Sequence, residues 1–175
     1  PIKFGGRVVM DVTLLDVTVD VVTRDGRRGT GTGSMPMGNV WAWPSVRVQT
    51  HQSLAAMVAL GKRLVSAAGT CTETGHPLEI THALSADYPT HAQDIVRELQ
   101  LPEPIPQLAQ LVAASPLEAA IHDAYGKALG LNAYLTLVSA NGPEFVRAEW
   151  PSPRQFNHAI VAVALSSPPA GLSLL

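Results

Sequence analysis

Cysteine is nearly absent: Cys71 stands alone among 175 residues, so no internal disulfide can form. With no secretory apolar stretch at the start either, the expected compartment is cytoplasmic. No run approaches the roughly 20 apolar residues that span a bilayer, and Ala159 to Leu165 is too short, so no membrane partner is expected. Charge is sparse as well, at 15% Asp, Glu, Lys and Arg with a net charge of -2 and no Lys/Arg block. Nucleic-acid binding therefore has no electrostatic footprint. The same scarcity suggests a face built to be covered. Ligand spacing is missing too: Cys71 and His76 share a polar turn from Thr70 to Pro77, and His82 and His91 flank a proline, with neither pair forming a metal set or an activated thiol.

What is present is enough apolar material for a core, 46% of the residues. From Val8 to Val22 the chain alternates, with Leu15, Val17, Val19 and Val21 on one side and Asp16, Thr18 and Asp20 on the other. That period of two predicts a strand with one face on a core. Arg24-Asp25-Gly26-Arg27 supplies a hairpin turn, and a short return strand follows over about Arg28 to Gly33. Gly29, Gly31 and Gly33 do not make a phosphate loop, because no Lys-Ser or Lys-Thr follows; they predict a strand that is bent or closely approached by other backbone. The next stretch, Ser34 to Ser45, has no period but carries Trp41 and Trp43. A loop with large apolar side chains either packs them down or presents them to a ligand.

Helices are expected from Thr50 to about Ala68, with Leu54, Met57, Val58, Leu64 and Val65 buried, and over Leu78 to Ala86 and Thr90 to Leu101, broken at Tyr88-Pro89. In the last of these Asp94 and Glu98 form a repulsive pair. After a proline connector and a short helical run from Gln107 to Ala114 comes the most legible helix: Ser115 as N-cap, Pro116 at the first position, Glu118 closing a capping box and Gly130 past the end. Its face of Leu117, Ala120, Ile121, Ala124, Ala128 and Leu129, with Gly126 in the interior, predicts close packing on a neighbour, and Asp123 and Lys127 form an i,i+4 pair. A short apolar segment, Leu131 to Val138, should dock with it. Beyond a linker at Ser139 to Glu144, Phe145 to Trp150 reads as a strand and Arg154 to Leu165 as a helix. Pro1 in place of methionine predicts a processed or trimmed start, and the apolar end at Leu172 to Leu175 predicts either a chain cut short or an end tucked against a core.

The hairpin with Thr23-Arg24-Asp25-Gly26-Arg27, the glycine-spaced return strand, the alanine-rich helix with Asp123, Gly126, Lys127, Ala128 and Gly130, and the following Tyr134 together resemble a known pattern. It is that of the amino-terminal capping domain of the enolase superfamily, in the mandelate racemase and muconate-lactonizing branch. The resemblance covers roughly Val8 to Val138. It implies an α+β fold, an antiparallel hairpin followed by a helical bundle, with a capping domain over residues 1–138. Residues 139–175 would hold a linker and the beginning or fragments of a β/α barrel.

By that resemblance the parent protein is an isomerase or lyase that abstracts a proton α to the carboxylate of a hydroxy or sugar acid and stabilises the enediolate with magnesium. An α proton is weakly acidic, so such chemistry needs a tuned base and positive charge at the developing oxyanion. Metal ligands, acid and base lie in the barrel, which needs about 250 residues, so this chain holds no catalytic or metal residue and alone would be inactive. Asp11, Asp16, Asp20 and Asp25 receive no metal role, and Asp123 and Lys127 receive a structural one. What carries over is a substrate-pocket loop of Met35, Met37, Asn39, Trp41 and Trp43, with Thr70 to Pro77 the nearest candidate for a second. The implied partners are a carboxylate-bearing small molecule, a β/α barrel in the same or another chain, and further copies in a homo-oligomer. The alternatives are a non-catalytic structural or protein-interaction module, or one chain of a split enzyme.

Overall fold

The computed structural model describes residues 2–4, 7–9, 11–138 and 158–164, with side chains described from 11 to 131. The chain divides into two compact units, Pro1–Ala128 and Leu129–Leu175. Among the described residues the architecture is α+β, built from antiparallel strand pairs and five helices.

In the first unit, β1 (Ile2–Phe4) pairs with β2 (Arg7–Val9), and β3 (Leu14–Val22) pairs with β4 (Arg28–Pro36). The extended stretch expected over Val8 to Val22 thus falls into two strands, and the β3–β4 ladder is continued by the Met37 N–H on the Thr13 carbonyl at 2.9 Å. Alternation in β3 holds throughout: Leu15, Val19 and Val21 are half-buried, Val17 is buried, and the residues between them are exposed. Gly26, at φ +83°, closes the turn with its N–H on the Thr23 carbonyl. The return strand runs three residues past Gly33 because the ladder continues through Asp16↔Ser34 and Leu14↔Pro36.

Helices follow as α1 (Asn39–Ala42), α2 (Thr50–Gly69), α3 (Pro77–Ser85), α4 (Tyr88–Glu98) and α5 (Gln107–Ala128). Tyr88-Pro89 starts α4 rather than breaking a helix, since proline suits the first turn, where its missing N–H has no partner to lose. The expected repulsion between Asp94 and Glu98 is relieved by arginines: Arg97 bonds Asp94, and Arg63 of α2 grips both Glu98 oxygens at 2.7 and 2.9 Å.

The largest correction concerns α5. Ser115 is no N-cap: one helix runs unbroken from Gln107, with Pro116 in its interior and the Ser115 hydroxyl donating to the Leu111 carbonyl at 2.9 Å. An interior proline removes one helix bond and costs about 3 kcal/mol in an exposed helix. Here the buried set Ala109, Val112, Ala113, Leu117, Ala120 and Ile121 continues across it at helical spacing, and burial of that stripe outweighs the local cost. Glu118, freed of the capping role, accepts the Tyr88 hydroxyl at 2.9 Å. Burial and then the Glu118 carboxylate push the Tyr88 phenol above its ordinary pKa, as expected for a group whose charged form is disfavoured.

α5 is the centre of the unit, packed against β3 and β4 on one side and against α2 and α4 on another. Close approach occurs through β4 and not through Gly126, around which a Cβ would meet nothing within 4 Å. A Cβ on Gly29 would stand 2.2 Å from the Ala124 carbonyl oxygen. On Gly31 it would stand 2.1 Å from the Ala124 nitrogen, and on Gly33 2.0 Å from the Pro116 carbonyl oxygen. The glycines let strand and helix backbones touch. Gly61 does similar work in α2, lying against Leu15 and the Ala113 carbonyl. The core then fills with Met57, Leu60, Leu64, Leu117 and Ile95.

In the second unit β5 (Asn132–Val138) pairs antiparallel with β6 (His158–Ala164). The helix expected over Arg154 to Leu165 is replaced by this strand, in keeping with the β-branched Ile160, Val161 and Val163. The expected linker at Ser139 to Glu144, the strand at Phe145 to Trp150 and the end at Leu172 to Leu175 lie outside the described residues. The division between units falls before β5.

Candidate functional site

The loop that leaves β4 is built from the backbone outward. The N–H of Gly38 turns onto the Pro36 carbonyl at 2.8 Å, and α1 makes a single turn with Ala42 N–H on the Gly38 carbonyl at 2.9 Å. Asn39 is buried in that turn and donates from Nδ2 to the Thr50 carbonyl at 2.7 Å and to Ser53 Oγ at 2.9 Å. The start of α2 thereby anchors the turn. At the other end Ser45 Oγ accepts the N–H groups of Arg47 and Val48, both at 2.9 Å.

Between these anchors the two tryptophans part company. Trp43 is 3% exposed and sits in the core with Met37 and Ala42, and its Nε1 donates to Glu103 Oε1 at 2.8 Å from the connector between α4 and α5. Ser45 and then Trp43 hold the Glu103 carboxyl below the usual carboxylate range, with the Arg47 charge adding to the effect. Trp41 is 40% exposed and lies back over Gly38, where a Cβ would come 2.0 Å from the indole nitrogen. Met35 is half-buried against the core. Of the five residues expected at a pocket, then, Met37, Asn39 and Trp43 are packed into the core, Met35 is half-buried beside it, and Trp41 is presented to solvent.

Asp123 joins the helix to the sheet. Its Oδ2 accepts the Thr32 N–H and the Lys127 ammonium, each at 2.8 Å. Lys127 first, and the Thr32 N–H with it, lower the Asp123 pKa from the ordinary 3.8. A carboxyl with a depressed folded-state pKa adds stability that is present above the unfolded value and fades as pH falls through the folded one. Asp123→Asn is accordingly expected to lower stability at neutral pH by about 1 kcal/mol, a figure discounted for an ion pair in solvent contact. The difference should narrow as pH falls below the ordinary 3.8 and through the lowered folded-state pKa. Urea denaturation of both proteins across pH checks it, and a gap that persists in acid would remove the carboxylate from the account.

Among the described residues, clefts on the helical side include two of about 310 Å³ each. One is lined by Leu64, Cys71, Leu84, Asp87, Tyr88 and His91, so Cys71 shares a cleft with a histidine far from it in sequence. The other lies beside Val96, Arg97, Pro104 and Ile105. Neither includes the tryptophan loop. Among the described residues no three His, Cys, Asp or Glu side chains come together to hold a metal ion, and no helix is long and apolar enough to cross a membrane.

Sequence patterns missed Glu103, Ser45 and His76. His76 caps α3 by accepting the Leu78 N–H at 3.2 Å and sets its ring edge-on to Tyr125, with centroids 5.4 Å apart. Ser45 sits three residues before the Val48 N–H that it accepts, a recognisable serine-turn spacing. Glu103 is sixty positions from Trp43 and carries no local signal. Comparison with family models, with curated proteins and with solved structures gave no match.

Proposed function

We propose that this chain is the capping and specificity portion of a magnesium-dependent enzyme, of enolase-superfamily type, that abstracts a proton α to the carboxylate of a hydroxy or sugar acid. The observation that supports this most directly is the seating of Gly29, Gly31 and Gly33 on α5, fastened by the Asp123 bond to Thr32. It packs the hairpin and the alanine-rich helix, the two motifs on which the resemblance rests, into one unit with the tryptophan loop at the end of β4.

On this reading Trp41 supplies apolar closure over the substrate, and Met37, Asn39 and Trp43 hold it in place from beneath. Excluding water strengthens every charge interaction around a developing oxyanion. The magnesium ligands, the acid and the base belong to a β/α barrel in the same or another chain, and the assembly is a cytoplasmic homo-oligomer.

The test is turnover by the protein from its complete coding sequence on a panel of hydroxy and sugar acids, with magnesium and after chelation. Magnesium-dependent turnover of at least one acid is the expected result, from a polypeptide or complex larger than the 18.5 kDa of these residues. A product of 18.5 kDa with no magnesium-dependent turnover would overturn the reading in favour of an interaction module, for which the exposed Leu108 and Leu111 of α5 are the natural contact.

A further inference from the structure

The β3–β4 ladder places Thr18 opposite Thr32. The Thr32 N–H points away from β3, to Asp123. In an antiparallel ladder, residues whose groups point away from each other form the non-hydrogen-bonded pairs, which alternate along the strands. Thr18 and, with it, Leu14, Asp16, Asp20 and Val22 therefore turn their N–H and C=O groups to the outer edge of β3. The bonds from Met37 N–H to Thr13 and from Thr23 N–H to Arg27 fall on the other parity, as this requires.

The two edges differ. At the outer edge of β4 Thr32 is met by Asp123, whereas among the described residues the sheet ends at β3, with no strand beside it. Its nine residues, unpaired on that side among the described residues, span roughly 30 Å. An open edge of that length is a template for another strand. Its two faces specify what that strand carries. Leu15, Val19 and Val21 are only half-buried on the helix side, where apolar neighbours would complete their burial. Asp16 and Asp20 are exposed on the solvent side, flanking Thr18. Asp20 spends one oxygen on the Thr30 hydroxyl at 2.6 Å, and Asp16 meets no side-chain partner among the described residues.

We propose that the outer edge of β3 receives an extended segment of another protein in which Lys or Arg alternates with β-branched apolar residues. The apolar side chains lie beside Leu15, Val17 and Val19, and the basic ones beside Asp16 and Asp20. A second copy of this chain fits poorly. Antiparallel pairing over the full strand would set Asp16 of each copy opposite Asp20 of the other, and like charges directly opposite are destabilising. This surface goes beyond the enzymatic reading and stands without it.

The probe is a fluorescent seven-residue peptide alternating valine with lysine, compared with its valine–glutamate counterpart by anisotropy at 0.15 M salt, a concentration that screens distant charges but not adjacent ones. The lysine peptide is expected to bind at least roughly tenfold more tightly, from two cross-strand pairs turned from attractive to repulsive. The Asp16→Lys/Asp20→Lys protein should invert the preference. Asp16→Asn/Asp20→Asn, a milder change, should abolish the preference while leaving the fold intact by circular dichroism. Equal binding of both peptides, or a preference that survives both charge changes, overturns the proposal. So does a concentration-dependent dimer that Thr18→Pro dissolves, since the occupant would then be a second copy.

Discussion

Gly31→Ala is expected to destabilise the fold by about 3 kcal/mol, at the upper end of what overpacking costs. The added carbon would stand 2.1 Å from the Ala124 nitrogen and 2.2 Å from the Ala120 carbonyl oxygen. Those are backbone atoms of a helix and cannot swing aside as a flexible side chain would. Relief requires the hairpin to lift from α5, which opens the contact between Val17 and the buried helix face and stretches the Thr32 bond to Asp123. Gly126→Ala is the control on the same helix, away from the contact. Its Cβ meets nothing within 4 Å, so the better helix propensity of alanine should raise stability by about 1 kcal/mol. Urea midpoints of the two variants should move in opposite directions from the parent. Coincident midpoints would mean that the strand sits farther from the helix than described.

Trp43→Ala is expected to cost about 3–5 kcal/mol, the range for emptying a buried aromatic site. Trp41→Ala should cost no more than about 1 kcal/mol, because its ring is partly in solvent and leaves no cavity. Trp43 also satisfies Glu103, so Trp43→Phe separates ring packing from the lost N–H bond. Under the proposed function the order reverses in kinetics. Trp41→Ala, still folded, should change the ratio of kcat/KM between two carboxylate substrates severalfold, which is the sign of a side chain that contacts one substrate more than another. Equal unfolding midpoints for the two variants would refute the division between buried and exposed ring, while an unchanged substrate ratio would refute the pocket role alone.

Legibility in the sequence followed how local each cause is. The alternation of Leu15 to Val21 and the Asp25-Gly26 turn are short-range signals and found their places. The glycines of β4 were legible as marking a strand either bent or closely approached by backbone, though not as contacts of α5, since nothing in residues 29–33 names a helix ninety positions away. The Ser115 signal misled because capping residues compete with burial. Ser115, Pro116 and Glu118 make a good helix start in isolation, but the stripe from Ala109 to Ile121 is continuous, and tertiary packing decides helix length more strongly than a cap does. The aperiodic stretch after Gly33 hid a split between its tryptophans that only Glu103 and the start of α2 could determine.

The contact between β4 and α5 also sets a length of its own. Successive glycines step two residues along the strand, about 6.6 Å, while the helix atoms they meet step four residues the opposite way, about 6.0 Å. The two rulers agree closely enough for Gly29, Gly31 and Gly33 to find equivalent seats in turn. Each further step would add about 0.6 Å of mismatch, on top of the twist of the strand. The offset accumulates like that of a vernier, so each glycine added to the pattern would find a poorer seat than the one before it, and lengthening either element would return less contact per residue.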